Sequence, residues 1–195
     1  MPRSRYFHKI LGMLVFSGCL SGCIPAALVV GATAGGAVIY DKRSMVTIAQ
    51  DQEASETAGK LVMTSPDLKE GTHIAIATFD HILLLVGQTT TEAQRATAYQ
   101  LVSSVKNVSR VYNEITIEQP TSSWQRSQDA WITTKIKTEM LAKPGLHSTQ
   151  IKVVTENSVV YLMGVLSPHQ AELATNIARR ADGVKEVVKV FENPS

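Results

Sequence analysis

Metal binding and nucleophilic catalysis need particular side chains at particular spacings, and this chain offers few of them. Beyond its opening segment the histidines are His73, His81, His147 and His169, and none pairs with a Cys or a carboxylate at metal-ligand spacing. His81 and His147 fall in expected turns, where a solvated surface side chain is the plain assignment. Serines are plentiful, but no Gly-x-Ser-x-Gly elbow carries one. Gly31, Gly35 and Gly36 lie in an uncharged Ala/Gly run rather than between a strand and a helix, so they form no phosphate loop. No catalytic residue, metal ligand or cofactor is expected, and an enzyme is not the expectation. The chain has 2 Cys, both near its start, and Cys23 follows Leu20-Ser21-Gly22 at the end of an apolar run. Its thiol is the one group placed for a covalent modification.

That run, Ile10 to Leu20, follows a basic, acid-free start with Arg3, Arg5 and Lys9. A basic start, a short apolar stretch and small residues before a cut describe a secretory signal peptide, here residues 1–22. Leu20-Ser21-Gly22-Cys23 also resembles the bacterial lipobox. The resemblance implies cleavage before Cys23, a diacylglyceride on its thiol and fatty acylation, of the palmitate kind, on its new amine. Cys19 is the competing site, but Phe16 stands where the lipobox has Leu, so Cys23 is preferred. A plain signal peptide with an unrelated Cys is the alternative. Two or more buried acyl chains anchor stably, at about 0.8 kcal/mol per CH₂. Ile24, rather than Asp, after the acylated Cys fits release to the outer membrane, facing the periplasm, by the sorting rule for such lipoproteins.

Residues 24–40 are uncharged and rich in Gly and Ala, but 17 residues fall short of the roughly 20 that a spanning helix needs. The expectation for residues 23–44 is an acylated Cys followed by an apolar tether against the bilayer, with a second spanning segment as the alternative. Asp41-Lys42-Arg43-Ser44 marks the exit into solvent.

Charge narrows the partners. The full chain carries 19 Lys+Arg and 17 Asp+Glu, and removing Arg3, Arg5 and Lys9 leaves 16 basic against 17 acidic residues. A mature charge near −1 argues against general nucleic-acid binding, which needs a strongly basic surface. The charge is uneven: residues 41–125 carry 7 basic and 10 acidic side chains, residues 126–195 carry 9 and 7. With both cysteines at or before the cut, no disulfide staples the fold.

An internal repeat decides the architecture. Ile74, Ile76, Thr78 and Gly87 match Ile151, Val153, Thr155 and Gly164 at a constant offset of 77. Period-2 apolar spacing and β-branched residues make each copy a hairpin with one buried face. A helix follows each hairpin, announced by capping boxes at Thr91-Glu-Ala-Gln94 and Ser167-Pro-His-Gln170. These helices are expected to stop at Asn107 and Gly183, residues that tolerate a left-handed cap. A closing strand comes next, Tyr112 to Ile117 and Val187 to Phe191. A further helix precedes each hairpin, Val46 to Met63 and Asp129 to Leu141, the latter with Ile132, Ile136 and Met140 on one stripe. The fold class is therefore α+β, helix-strand-strand-helix-strand twice over, each unit placing two helices on a three-stranded mixed sheet. The expected domains are residues 45–118 and 126–192, joined by a Pro and small-polar linker at 119–125.

Ile-x-Val, Leu-x-Gly, a helix, Gly-Val-x-x-Val and a strand together resemble the BON domain. A lipobox with two such copies is similar to the dual-BON outer-membrane lipoproteins of Gram-negative bacteria. The likeness runs from about Asp41 to Glu192 and includes Val111-Tyr-Asn-Glu114 and Trp131-Ile-Thr-Thr-Lys135. It implies anionic phospholipid as partner and support of outer-membrane integrity, with some members gathering at the division site. The first copy has Asn107 in place of Gly and no aromatic matching Trp131, which directs the lipid role to the second. On that helix Trp131, Thr134, Lys135 and Thr138 lie three or four apart, beside the apolar stripe. A Trp with a Lys neighbour at a polar-apolar boundary suits a membrane interface. The competing placement puts Trp131 at the half-buried edge of the core or between the domains. The alternative partner is a protein, such as outer-membrane assembly machinery, with Trp131 as an interface anchor. Oligomeric state is not fixed by the sequence.

Overall fold

Ser44 and Ser122, 78 residues apart, begin the same construction twice. The structure, a computed structural model, describes residues 43–192; Cys19, Cys23, the expected signal and the expected tether up to residue 42 lie outside them. In chain order the elements are α1 (Met45–Thr64), β1 (Thr72–Phe79), β2 (Ile82–Thr89), α2 (Glu92–Ser103), β3 (Arg110–Ile117), α3 (Ser123–Ala142), β4 (Lys152–Glu156), β5 (Val159–Val165), α4 (Pro168–Arg180) and β6 (Glu186–Glu192). Short 3-10 turns at Pro66–Leu68 and Ser148–Gln150 precede the leading strands. Each sheet has its hairpin's second strand in the middle, antiparallel to the first and parallel to the third. This is the expected α+β fold.

Local chemistry explains the elements. Ser44 and Ser122 hydroxyls accept the N–H of Thr47 and Gln125 at 3.0 and 3.2 Å, satisfying donors the first helical turn leaves open. Thr91 and Ser167 do the same for α2 and α4. The glutamine side chains of those two helix starts bond away from the cap N–H that a capping box would use. Gln94 donates to the Asp67 and Glu70 carbonyls, and Gln170 donates to the Gly145 carbonyl while accepting the His147 N–H. Each helix start is thereby tied to the loop before the leading strand.

The two hairpins turn through Asp80-His81 and Asn157-Ser158, all four at positive φ (49 to 67°), the two-residue geometry matched to strand twist. A buried carboxylate one helix away holds each turn. Asp51 accepts the N–H groups of Asp80 and His81 at 2.7 and 2.9 Å; Asp129 accepts those of Asn157 and Ser158 at 2.9 and 2.8 Å. Arg43 lies 2.9 Å from Asp51, and its guanidinium stacks 3.8 Å over the Phe79 ring. Gly87, at φ +120°, and Gly164 let strands approach closely, since a Cβ there would lie 2.0 Å from the His73 carbonyl and 2.5 Å from that of Gln150.

Three cores result. Ala54, Ala58, Val62, Ala98 and Val102 pack on Leu83, Leu85 and Ile115 of the first sheet. Ile132, Ile136, Met140, Ala174 and Ala178 pack on Val160 and Leu162 of the second. The third core has only strand residues: Ala77, Phe79, Ile82, Leu84 and Val86 meet Tyr161, Met163 and Val190. The order of layers is helices, sheet, sheet, helices.

This corrects the expectation of hairpins with one buried face. β2 is buried along its whole length, and the reason lies in its composition. Ile82-Leu-Leu-Leu-Val86 has no polar alternation, the pattern of a strand covered on both faces. The linker expected at 119–125 is shorter in the structure and is tied down by hydrogen bonds. α3 starts at Ser123, Thr121 donates its N–H to Gln88 at 3.0 Å, and Arg126 donates to the Thr121 carbonyl. Finally, α2 and α4 end at Ser103 and Arg180, earlier than Asn107 and Gly183. Those two residues take the positive φ, 61 and 88°, in the turns that follow.

Tyr161 reports on the shared core. Burial, and secondarily the charges of Glu114, Glu186 and Glu156, push its phenol from 10.0 up to about 12. A folded value above the unfolded one means that this stabilisation is complete below pH 10 and is lost as pH rises through 12. Between these limits, alkaline unfolding of Tyr161→Phe should be shallower than that of the wild type, measured by circular dichroism; equal slopes would contradict the burial argument.

Candidate membrane-facing site

α3 is long enough to have two distinct faces. Ile132, Ile136 and Met140 point into the second core, and Asp129 into the hairpin turn. The opposite side carries Trp131, 66% exposed, so the structure places it neither at a half-buried core edge nor between the domains. Trp124 is 72% exposed and lies seven residues earlier, almost two full turns along the same side. Leu141, 67% exposed, lies ten residues beyond Trp131 and about a quarter-turn around the helix from it.

The polar residues named with Trp131 are also on the outside. Thr134 and Thr138 donate their hydroxyls to the carbonyls of Ala130 and Thr134, both at 2.9 Å, so both hydroxyls bond within the helix itself. Lys135 meets Asp182 at 2.6 Å, across from the turn after α4. That hydrogen bond raises the Lys135 ammonium above its ordinary value and lowers the Asp182 carboxylate below its own. The Asp182 side chain is almost wholly in water, so the pair is a weak surface contact that a second anion can displace. Lys137, Thr138 and Glu139 are exposed beside it, and Lys143 follows the helix end. Arg126, in the first turns, is held by the Thr121 carbonyl and by Ser123 Oγ at 3.0 Å.

Trp124 was missed from sequence because it fell inside the expected linker. Its signal is the seven-residue spacing to Trp131, visible once the helix is started at Ser123. The position matching Trp131 in α1 is the exposed Glu53, while those matching Trp124 and Leu141 are the exposed Val46 and Met63, so what the first repeat lacks is the pair of indoles.

The histidines assemble no chemistry. His73 Nε2 stands 3.5 Å from Glu156, His81 Nδ1 is 3.0 Å from the Asn107 carbonyl, and His147 and His169 are exposed. Among the described residues no His, Cys, Asp and Glu cluster could hold a metal ion, and no helix is long and apolar enough to cross a membrane. Cys23, the expected lipidation site, lies outside the described residues.

Comparison with known proteins follows the repeat. The BON domain model matches residues 50–119 and again 128–192. The outer membrane lipoprotein DolP of Haemophilus influenzae is 32% identical over 183 residues, 94% of this chain and 93% of the relative. The 21 kDa hemolysin of Actinobacillus pleuropneumoniae is 37% identical over 77% of this chain and 78% of its own length. The osmotically-inducible protein Y of Escherichia coli is 25% identical over 96% of both.

Proposed function

The chain belongs to the BON-domain family, in the dual-BON outer-membrane lipoprotein group, and from that premise we propose that its second domain contacts anionic phospholipid through the exposed face of α3. In this reading the protein is held by acyl chains on Cys23 at the periplasmic face of the outer membrane, supports the integrity of that membrane and gathers at the division site. The observation that carries the lipid contact is the pair of exposed indoles, Trp124 and Trp131, on one side of a helix that buries a complete apolar stripe elsewhere. Indoles favour the headgroup region, where an apolar ring and a polar N–H are both accommodated. Arg126, Lys135, Lys137 and Lys143 supply cations along the same helix, the usual composition of an interfacial helix. The alternative partner, outer-membrane assembly machinery, would use the same indoles as anchors in a protein pocket.

Trp131→Glu separates the readings. The substitution removes an apolar wedge and adds repulsion from anionic headgroups, while its exposed position asks little of the fold. Co-sedimentation of residues 39–195 with anionic vesicles should be lost and the melting temperature should stay within about a degree or two. In the unmutated protein, binding should weaken as salt screens the attraction. A Trp131→Glu protein that melts lower yet still sediments with anionic vesicles would sink the lipid-contact reading.

A further inference from the structure

The repeat makes two equivalent corners where the sheets meet, and the two are finished differently. In the first corner Glu156 is an acceptor hub. Its Oε1 receives Gln88 Nε2 at 2.8 Å and Thr121 Oγ1 at 3.3 Å, and its Oε2 faces His73 Nε2 at 3.5 Å. Asn157 closes the rim by donating to Glu118 at 3.3 Å. The second corner is built from the matching positions of the other copy. Gln150 stands for His73, Val165 for Gln88, Phe79 for Glu156 and Asp80 for Asn157, all at the offset of 77, and Arg43 stands for Thr121 at 78.

The substitution that matters is Phe79 in place of Glu156, because it removes the carboxylate and leaves one donor, Gln150, behind. Gln150 is only 9% exposed, and its Nε2 is buried with no hydrogen-bond partner. A donor orphaned in this way costs free energy that nothing in the corner recovers. Where the hub would be, there is a cleft of about 420 Å³ whose lining includes Arg43, Phe79, Asp80, His147, Gln150 and Val165. That size lies within the range of small-molecule sites, and domain junctions are a common place for them.

We propose that this cleft binds a small organic monocarboxylate, whose carboxylate takes the place that Glu156 fills in the other corner. Gln150 Nε2 donates to it, the Arg43 guanidinium supplies positive potential from the rim, and the apolar part of the ligand lies against Phe79 and Val165. Asp80 on the same rim selects against dianions such as phosphate monoesters. The site is separate from the α3 face and owes nothing to the lipid-contact reading.

Residues 39–195 form one compact unit, so they serve as the test protein. Hexanoate is titrated and backbone amide shifts are followed by NMR. Saturable shifts are expected at Asp80 on one side and Gln150 on the other, with none of comparable size for hexan-1-ol. Gln150→Leu removes the orphan donor, so the protein should melt no lower than wild type and bind hexanoate about tenfold more weakly. Val165→Phe, which fills the cleft from its other wall, should also abolish the shifts. Three results would each overturn the proposal: no saturable shifts, equal shifts with hexan-1-ol, or Gln150→Leu and Val165→Phe binding as well as wild type.

Discussion

Leu84→Ala should destabilise both repeats together, by about 2–5 kcal/mol, in a single cooperative transition. Leu84 is fully buried in the core between the sheets, while Leu83 and Leu85 on either side of it belong to the helix-covered core. The truncation therefore leaves a cavity that neither pair of helices can close. The two repeats cannot part at low cost either, since separation would bare Phe79, Ile82, Leu84 and Val86 along one face of the first sheet. It would also strip the buried Glu156 carboxylate of Gln88 and Thr121. Calorimetry of residues 39–195 should show one transition whose midpoint falls in the variant. Two transitions, of which only the first-domain one moves, would mean that the sheets do not share a core.

Exported behind a signal peptide that is cut without lipidation, a Cys23→Ala protein should move from the membrane pellet to the soluble periplasmic fraction and take up no labelled palmitate. Acyl chains supply far more burial than a surface helix can, at about 0.8 kcal/mol per CH₂, and two signals together make anchoring stable. The α3 face alone gives a reversible, salt-sensitive contact, so the variant should be recovered in the pellet only at low ionic strength. A variant that stays in the pellet at high salt would transfer anchoring to residues 24–40 and contradict the acylation of Cys23.

Much of this fold was legible because the chain states it twice. The offset of 77, the hydroxyl caps Thr91 and Ser167 and the paired Gly87 and Gly164 are local signals, and each repeat confirms the other. Long-range polar contacts were not legible. Asp51 and Asp129 look like solvated helix residues on any hydropathy reading, and only the hairpin turns packed beside them explain their burial. Gln88 and Glu156 are 68 residues apart and belong to different repeats, so no periodicity joins them. The docking of the sheets was half legible. Unbroken apolar runs in β2 and β5 mark burial on two faces, while the alternation in Ile74-Ala-Ile76 and Ile151-Lys-Val153 is that of a hairpin with one buried face. At the joint, Pro120 and its small polar neighbours suggested a flexible link. Ser122 matches the N-cap Ser44, and that match was the signal that a helix begins there, with Trp124 on it.

The lipid-contact assignment of α3 can be read from the protein's own fluorescence. The chain has 2 Trp, Trp124 and Trp131, and both lie exposed on that one helix. Residues 39–195 should therefore emit as solvated indole in buffer, and their whole tryptophan signal reports on the proposed contact. With vesicles containing anionic phospholipid the emission should shift to the blue and be quenched by bromine-labelled acyl chains. Neutral vesicles should leave it unchanged, and salt should reverse the shift. Protein that binds anionic vesicles while its tryptophan emission stays that of solvated indole would contradict the assignment of α3 as the membrane-contacting face.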